Sequence, residues 1–454
     1  MKDTIIMRVF VSLPASAAVL ALLAASLVWW TRQSVPLSQT QNVGPATSAV
    51  PMPQLQSRLS ALPKATLGQA REAALDDELL SATDASSSRL PKIDRFDVPG
   101  AIPGEALLTF RSAQALDEFR ARAARLGLTV IGFDAKLRTA RVRVGDPLAL
   151  AGDLAEHRDD YEQAGPNYIA RIPGLPLADS SPEAATDTAN AGGRSPFQGQ
   201  GLEFIGATGD RSRWGKGVTV AVVDSGIGSH PALEHVDISH VDLLADGSEM
   251  NGHGTAMATL IAGNDSQVAG VAPAARILDI RVADAEGVSN TAILASGIVR
   301  ATDLGARVIN ISLGSAGYSS VLAEAVHYAQ SRNAVVVAAA GNEQQTALAL
   351  PAALEGVLSV GAVDASGKQA WFSNSGIGLT LVAPGVGIIS GYSGSRLVIG
   401  SGTSQSTALT SGAVAYLLSR GYSADSIIPL LTRSAKPLKG TRTAVGAGLL
   451  QLPR

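Results

Sequence analysis

Five short runs of β-branched and small apolar residues recur between residues 218 and 363: VTVAVV (218–223), ILDIRV (277–282), RVINIS (307–312), AVVVAAA (334–340) and VLSVGAV (357–363). Near-continuous apolar runs mark strands buried on both faces. Helical stretches fall between and after them, near 254–263, 291–304, 319–332 and 404–420. Alternation of this kind predicts an α/β fold: a doubly wound, mainly parallel sheet with helices on both faces. A chain of 454 residues that is 46% apolar and 17% charged, with 47 glycines, has the material for such a core.

This unit takes up 201–454. Upstream, 104–172 has a different pattern: EALLTF, LTVIGF, LRTARVRV and YEQAGPNYIARI read as strands, the last with a Gly-Pro break. SAQALDEFRARAARLG reads as an amphipathic helix ending at Gly127, and DPLALAGDLAEHRDD as one capped by Asp146 with Pro147 first. The order βαββαβ predicts a small ferredoxin-like α+β domain. Residues 173–200, PGLPLADSSPEAATDTANAGGRSPFQGQ, form a low-complexity linker with a candidate processing site. The Pro-, Ser- and Gln-rich stretch 33–103 is a tether with one helix expected over 65–82. Within 1–32, Lys2 and Arg8 precede an uncharged segment from Val9 to Trp30, closed by Arg32. Twenty-two residues give about 33 Å of helix, enough to cross a bilayer core of about 30 Å. The segment reads as a signal-anchor or, alternatively, a cleaved signal peptide; a buried core helix is the structural alternative. Either leading reading makes the membrane a partner through this segment and places the remainder outside the cytoplasm.

No cysteine is present, which excludes disulfide scaffolds, thiolate metal sites and a cysteine nucleophile. A formal charge of −3 argues against nucleic acid as a partner. In parallel sheets, sites form beyond the carboxyl ends of strands. Asp224 follows VAVV, Asn342 follows VVVAAAG, and Ser312 with Gly314 follows RVINI. A dinucleotide loop at Asp224 fails because the position of the third glycine is Pro231. Of six histidines, His253 alone sits in a tight glycine frame, NGHGTAMATLIAG. A helical metal pair there fails because position 257 is Met; His230, His235 and His240 read as loop histidines, with a surface metal contact as the alternative. Taken singly, Asp224 is a turn former, Asn342 a turn residue and Ser404 part of a helix start that Ser401 and Thr403 share in capping. Together, an Asp, a neutral His, an amide donor and a Ser at a helix N-terminus are the parts acyl transfer requires.

The set resembles the subtilisin-like serine proteases. The resemblance rests on VAVVDSGIGSHP, GHGTAMATLIAG, NISLGS, VVVAAAGNE, FSNSG, LVAPG and SGTSQSTA, in that family's order over 201–434. It implies Ser404 as nucleophile, His253 as general base, Asp224 as charge stabiliser and Asn342 as oxyanion donor. It also implies Ser312, Leu313 and Gly314 as the edge that pairs with an extended peptide. Gln405 to Leu409 replace the usual Met-Ala-Ser-Pro-His after the nucleophile. No cofactor is implied; Asn264 and Asp265 offer few oxygens for a structural calcium. The 104–172 domain is similar to the propeptides of the family, which implies an intramolecular inhibitor cut within 173–200; a permanent accessory domain is the alternative. The implied function is a serine endopeptidase on protein or peptide substrates, made as a self-inhibited precursor. An inactive peptide-binding relative and an ester hydrolase are the rivals.

Overall fold

The computed structural model describes residues 92–93, 96, 98–173 and 195–453. The 9–30 segment, nearly all of the 33–103 tether with its expected helix, and 174–194 of the linker lie outside the described residues. Among the described residues no helix is long and apolar enough to cross a membrane.

The first unit comprises β1 (Ala101–Phe110), α1 (Ala113–Arg122), β2 (Leu128–Asp134), β3 (Thr139–Val144), α2 (Pro147–Glu156) and β4 (Tyr161–Arg171). These four strands pair antiparallel in the order β4-β1-β3-β2, and the two-residue strand Lys92–Ile93 extends the sheet by pairing parallel with β4. Local chemistry sets the helix starts. Ser112 accepts from the Ala115 amide at 3.0 Å, and Asp146 accepts from Leu148 ahead of a first-turn proline. Phe110 packs between Phe119 and Tyr161, with ring centroids 5.1 and 4.9 Å away. Burial, reinforced by its bond to Asp153, holds the Tyr161 hydroxyl above the ordinary phenol range. The strand runs on through the expected Gly-Pro break, with Gly165 and Pro166 paired to Leu107 and Ala106. The ladder shifts register directly after Pro166, where the next pair is Tyr168 with Ala101.

The second unit carries β5 (Thr219–Asp224), β6 (Ile238–Asp242), α3 (His253–Ala262), β7 (Arg276–Arg281), β8 (Val288–Asn290) and α4 (Thr291–Asp303). It continues with β9 (Val308–Ile311), α5 (Ser320–Gln330), β10 (Val335–Ala339), β11 (Leu358–Val363) and β12 (Leu381–Pro384). Last come the hairpin β13 (Ile388–Tyr392) and β14 (Arg396–Gly400), then α6 (Thr403–Ser419) and α7 (Ala424–Ser434). Seven strands form an all-parallel sheet in the order β12-β11-β10-β9-β5-β7-β6. Helices α3 and α6 pack together against it, and α4 packs with α5. The five anticipated strands form within about two residues of their expected bounds. β6, β8, β12 and the hairpin were not anticipated; β6 is half exposed and β8 has three residues, too few for a period to show.

Helix α6 explains why a Ser- and Thr-rich stretch can enter the core. Every residue from Thr403 to Ala415 is buried, and the hydroxyls find acceptors. Thr407 donates to the Thr403 carbonyl (2.7 Å), Thr410 to Ser406 (2.8 Å) and Ser411 to Asn310 (2.9 Å). Ser406 reaches the Ala383 carbonyl at 3.0 Å. Satisfied hydroxyls avoid the cost of burying an unpaired polar group.

Candidate active site

Asp224 ends β5, fully buried, and His253 opens α3. His253 Nδ1 lies 2.9 and 3.0 Å from the two Asp224 carboxylate oxygens. An ionised carboxylate can only accept, so Nδ1 carries the proton and Nε2 is left with its lone pair. Nε2 is buried and has no hydrogen-bond partner. The Ser225 amide and hydroxyl donate to Asp224 Oδ1 at 2.8 and 3.1 Å, steadying the carboxylate. The turn after β5 lies directly on the start of α3. A Cβ at Gly254 would come within 2.4 Å of the Gly226 carbonyl, so only glycine allows this approach.

Ser404 is the second residue of α6 and is buried. Its hydroxyl makes one long bond, donating at 3.3 Å to the Ser312 carbonyl. The capping expected of its neighbours does not occur. Gly402 is the N-cap, without a side-chain bond. Ser401 accepts from the Gly387 amide at 2.9 Å, and the Thr403 hydroxyl turns to Asn342. Both side chains find partners in other segments, so neither caps the helix start that carries Ser404.

Asn342 is oriented by that same helix start. The Thr403 amide (3.0 Å) and hydroxyl (2.8 Å) both donate to its Oδ1. Nδ2 is therefore turned the other way, and it is buried with no partner. A Cβ on Gly402 would lie 3.1 Å from it, so glycine keeps the space before this donor open. A spare N–H in a dry site is suited to a developing oxyanion.

Of the expected substrate edge, Leu313 faces the core, while Ser312 and Gly314 act through their backbones. Gly314 exchanges two 2.9 Å backbone bonds with Arg171 of β4. The opposite side of β4 pairs antiparallel with β8, matching Ile169, Ala170 and Arg171 to Asn290, Ser289 and Val288. The Ile172 amide continues to the Gly287 carbonyl at 2.9 Å. The edge at 287–290 is thus a second backbone site that sequence reasoning missed. Nearby, Asn167 accepts from the Thr291 hydroxyl (3.1 Å) and the Ala292 amide (3.2 Å) at the start of α4. Glu105, paired with Arg141, holds the Asn167 amide from behind at 2.8 Å. Of the histidines expected in a loop, His230 accepts from the Ala232 amide, whereas His240 lies on strand β6 and bonds Asp279 of the paired strand β7. Among the described residues no group of three or more ligating side chains could hold a metal.

The subtilase family profile matches residues 215–448. The thermophilic serine proteinase of Bacillus sp. (strain AK1) is 32% identical over 351 residues, covering 75% of this chain and 84% of that protein. Subtilisin BL of Lederbergia lenta is 37% identical over 241 residues, 52% of this chain and 88% of its own. Among solved structures, fervidolysin from Fervidobacterium pennivorans superposes with a TM-score of 0.67 at 24% identity. That match covers 81% of this chain but 64% of fervidolysin, and it bears on the fold.

Proposed function

Because the chain belongs to the subtilase family and is a serine endopeptidase acting on proteins or peptides, we propose that Ser404, His253 and Asp224 form its catalytic triad, with Asn342 as oxyanion donor. We further propose that the 104–172 domain is a propeptide that occupies the cleft. The observation that carries the triad is His253 itself. One ring nitrogen is committed to a buried carboxylate, and the other is buried and unbonded. In the reaction Ser404 Oγ transfers its hydrogen bond from the Ser312 carbonyl to His253 Nε2 and attacks the scissile carbonyl. His253 takes the proton and Asp224 stabilises the imidazolium without accepting it. Asn342 Nδ2 and the Ser404 amide donate to the tetrahedral oxyanion. Collapse expels the amine, protonated by His253, and leaves an acyl-enzyme that water hydrolyses through the same base.

The propeptide reading is supported by the strand 169–172, which lies between the Gly314 edge and the 287–290 edge as an extended peptide would. Pro173, which is buried, then follows the paired residues and lines the same pocket as Gly314, Gly341 and Asn374. A proline has no N–H to offer the Ser312 carbonyl, and Ser404 Oγ uses that acceptor instead. This favours a covering segment over a scissile one, with the processing cut in 174–200. The uncharged 9–30 segment supports a catalytic domain outside the cytoplasm, anchored or released.

A fluorophosphonate probe tests both assignments. We expect slow labelling of the intact precursor and fast labelling of Ser404 once the linker is cut and the 104–172 domain removed. Equal labelling of the two forms would dismiss the propeptide role. No labelling of the cut form would leave a peptide-binding protein, and ester turnover without amide turnover would favour the ester hydrolase.

A further inference from the structure

We propose that Asp279, held by His240, is a positioning residue for the catalytic carboxylate; the inference rests on the triad assigned above. Asp279 lies on β7 beside Val222 of β5, two residues before Asp224. Its side chain is 1% exposed, and nothing in the reaction uses it. Oδ2 accepts from His240 Nδ1 at 2.6 Å and from the Ile227 amide at 2.9 Å, while Oδ1 is buried without a partner. A carboxylate so placed is costly, because an ionised group loses its hydration there. Burial raises its pKa, the bonds from His240 and the Ile227 amide oppose that, and the charge of Asp224 adds to it.

The Ile227 amide shows where this group acts. It belongs to the turn that leaves Asp224, and that turn is bonded to the helix carrying His253. Ser225 Oγ accepts from the Gly254 amide at 3.2 Å, and the Gly228 amide donates to Thr255 Oγ1 at 2.8 Å. Asp279 therefore clamps a turn that leaves Asp224 and is bonded to the first turn of the helix carrying His253. It also places a second carboxylate close enough to Asp224 for the two charges to interact. The charged groups around it are Asp224 from β5, His253 from α3, His240 and Asp242 from β6, and Arg281 on its own strand. Arg281 is committed to Asp242 (2.9 Å) and to Asp246 of the following loop (3.4 Å), not to Asp279. His240 is the only side chain hydrogen-bonded to the Asp279 carboxylate among the described residues. Its ring is 42% exposed, so the clamp extends from solvent to the catalytic turn.

Two variants of the full processed enzyme separate clamp from charge. Asp279→Ala removes both and is expected to lower kcat roughly 10- to 100-fold with KM within about twofold, the scale of a small misplacement of reacting groups. Asp279→Asn keeps an oxygen for the Ile227 amide but not the charge. It is expected to restore most of kcat at the pH optimum while moving the acid limb of the kcat/KM profile to lower pH, because the imidazolium loses a favourable neighbour. His240→Ala should fall between them. A wild-type kcat and an unmoved acid limb in both Asp279 variants, with only the melting temperature lowered, would overturn the proposal. If Asp279→Ala does not fold, the acid limb of Asp279→Asn decides alone. Failure of the triad reading would show separately, as turnover surviving in Asp224→Asn with Asp279 intact.

Discussion

Ser404→Ala is expected to yield a folded precursor that hydrolyses no peptide and is not cut between 173 and 200. The other buried hydroxyls at the start of α6 are committed: Ser406, Thr407 and Thr410 to backbone carbonyls, Ser411 and Thr403 to asparagine side chains. None can leave its acceptor without stranding a buried polar group, so none can stand in as nucleophile. Ser404 alone makes a single long bond, to a carbonyl at the expected substrate edge. Losing it should cost on the order of 10⁶-fold in kcat, the size known for removing the serine from subtilisin itself. Folding should be nearly unaffected, since Ala suits a helix and only the 3.3 Å bond is lost. The measurements are amide turnover, thermal unfolding and mass spectrometry of the N-terminus of purified protein. A cut that still appears in 173–200 of the purified variant would assign processing to another protease.

Asn342→Ala should lower kcat by roughly 10²–10³-fold and leave KM nearly unchanged; this magnitude too is that of the oxyanion asparagine in subtilisin. The argument is geometric. Two donors from Thr403 fix the amide oxygen, which commits Nδ2 to the space beside Gly402. That N–H meets charge only as the carbonyl becomes tetrahedral, so its loss falls on the transition state and not on binding. The substitution also frees the Thr403 amide and hydroxyl, a structural effect that could mimic the same loss. Asn342→Asp separates the two, because it keeps an oxygen for Thr403 but offers no donor. An equally low kcat in both variants supports the donor role. Near-full activity in Asn342→Asp, or a change confined to KM, would contradict it.

How much of this was legible beforehand varies by element. The strand through Asp224 and the helix from His253 were readable because a buried parallel strand and a small-residue helix each leave a local apolar signature. Ser112 and Asp146 marked helix starts through bonds spanning three residues or fewer. The edge at 287–290 was not readable: three residues show no period, and their partner strand lies more than a hundred residues upstream. The break expected at Gly165-Pro166 shows as a register shift directly after the proline and not as an end of the strand, because the neighbouring strand keeps pairing on both sides of it.

By itself, then, the order of apolar runs and polar strand ends determined the α/β class, the ferredoxin-like unit before it and which four side chains were candidates for acyl transfer. Only the tertiary structure decided which hydroxyl keeps just one long bond, which way the Asn342 amide faces, and that Asp279 bonds the turn after Asp224. The physical reason is that periodicity and capping are short-range, whereas a hydrogen-bond acceptor is assigned by whichever segment packs nearby. Ser401 and Thr403 show this directly: as sequence they are helix caps, but in the fold their partners are Gly387 and Asn342, and Ser404 alone keeps a hydroxyl with a single long bond.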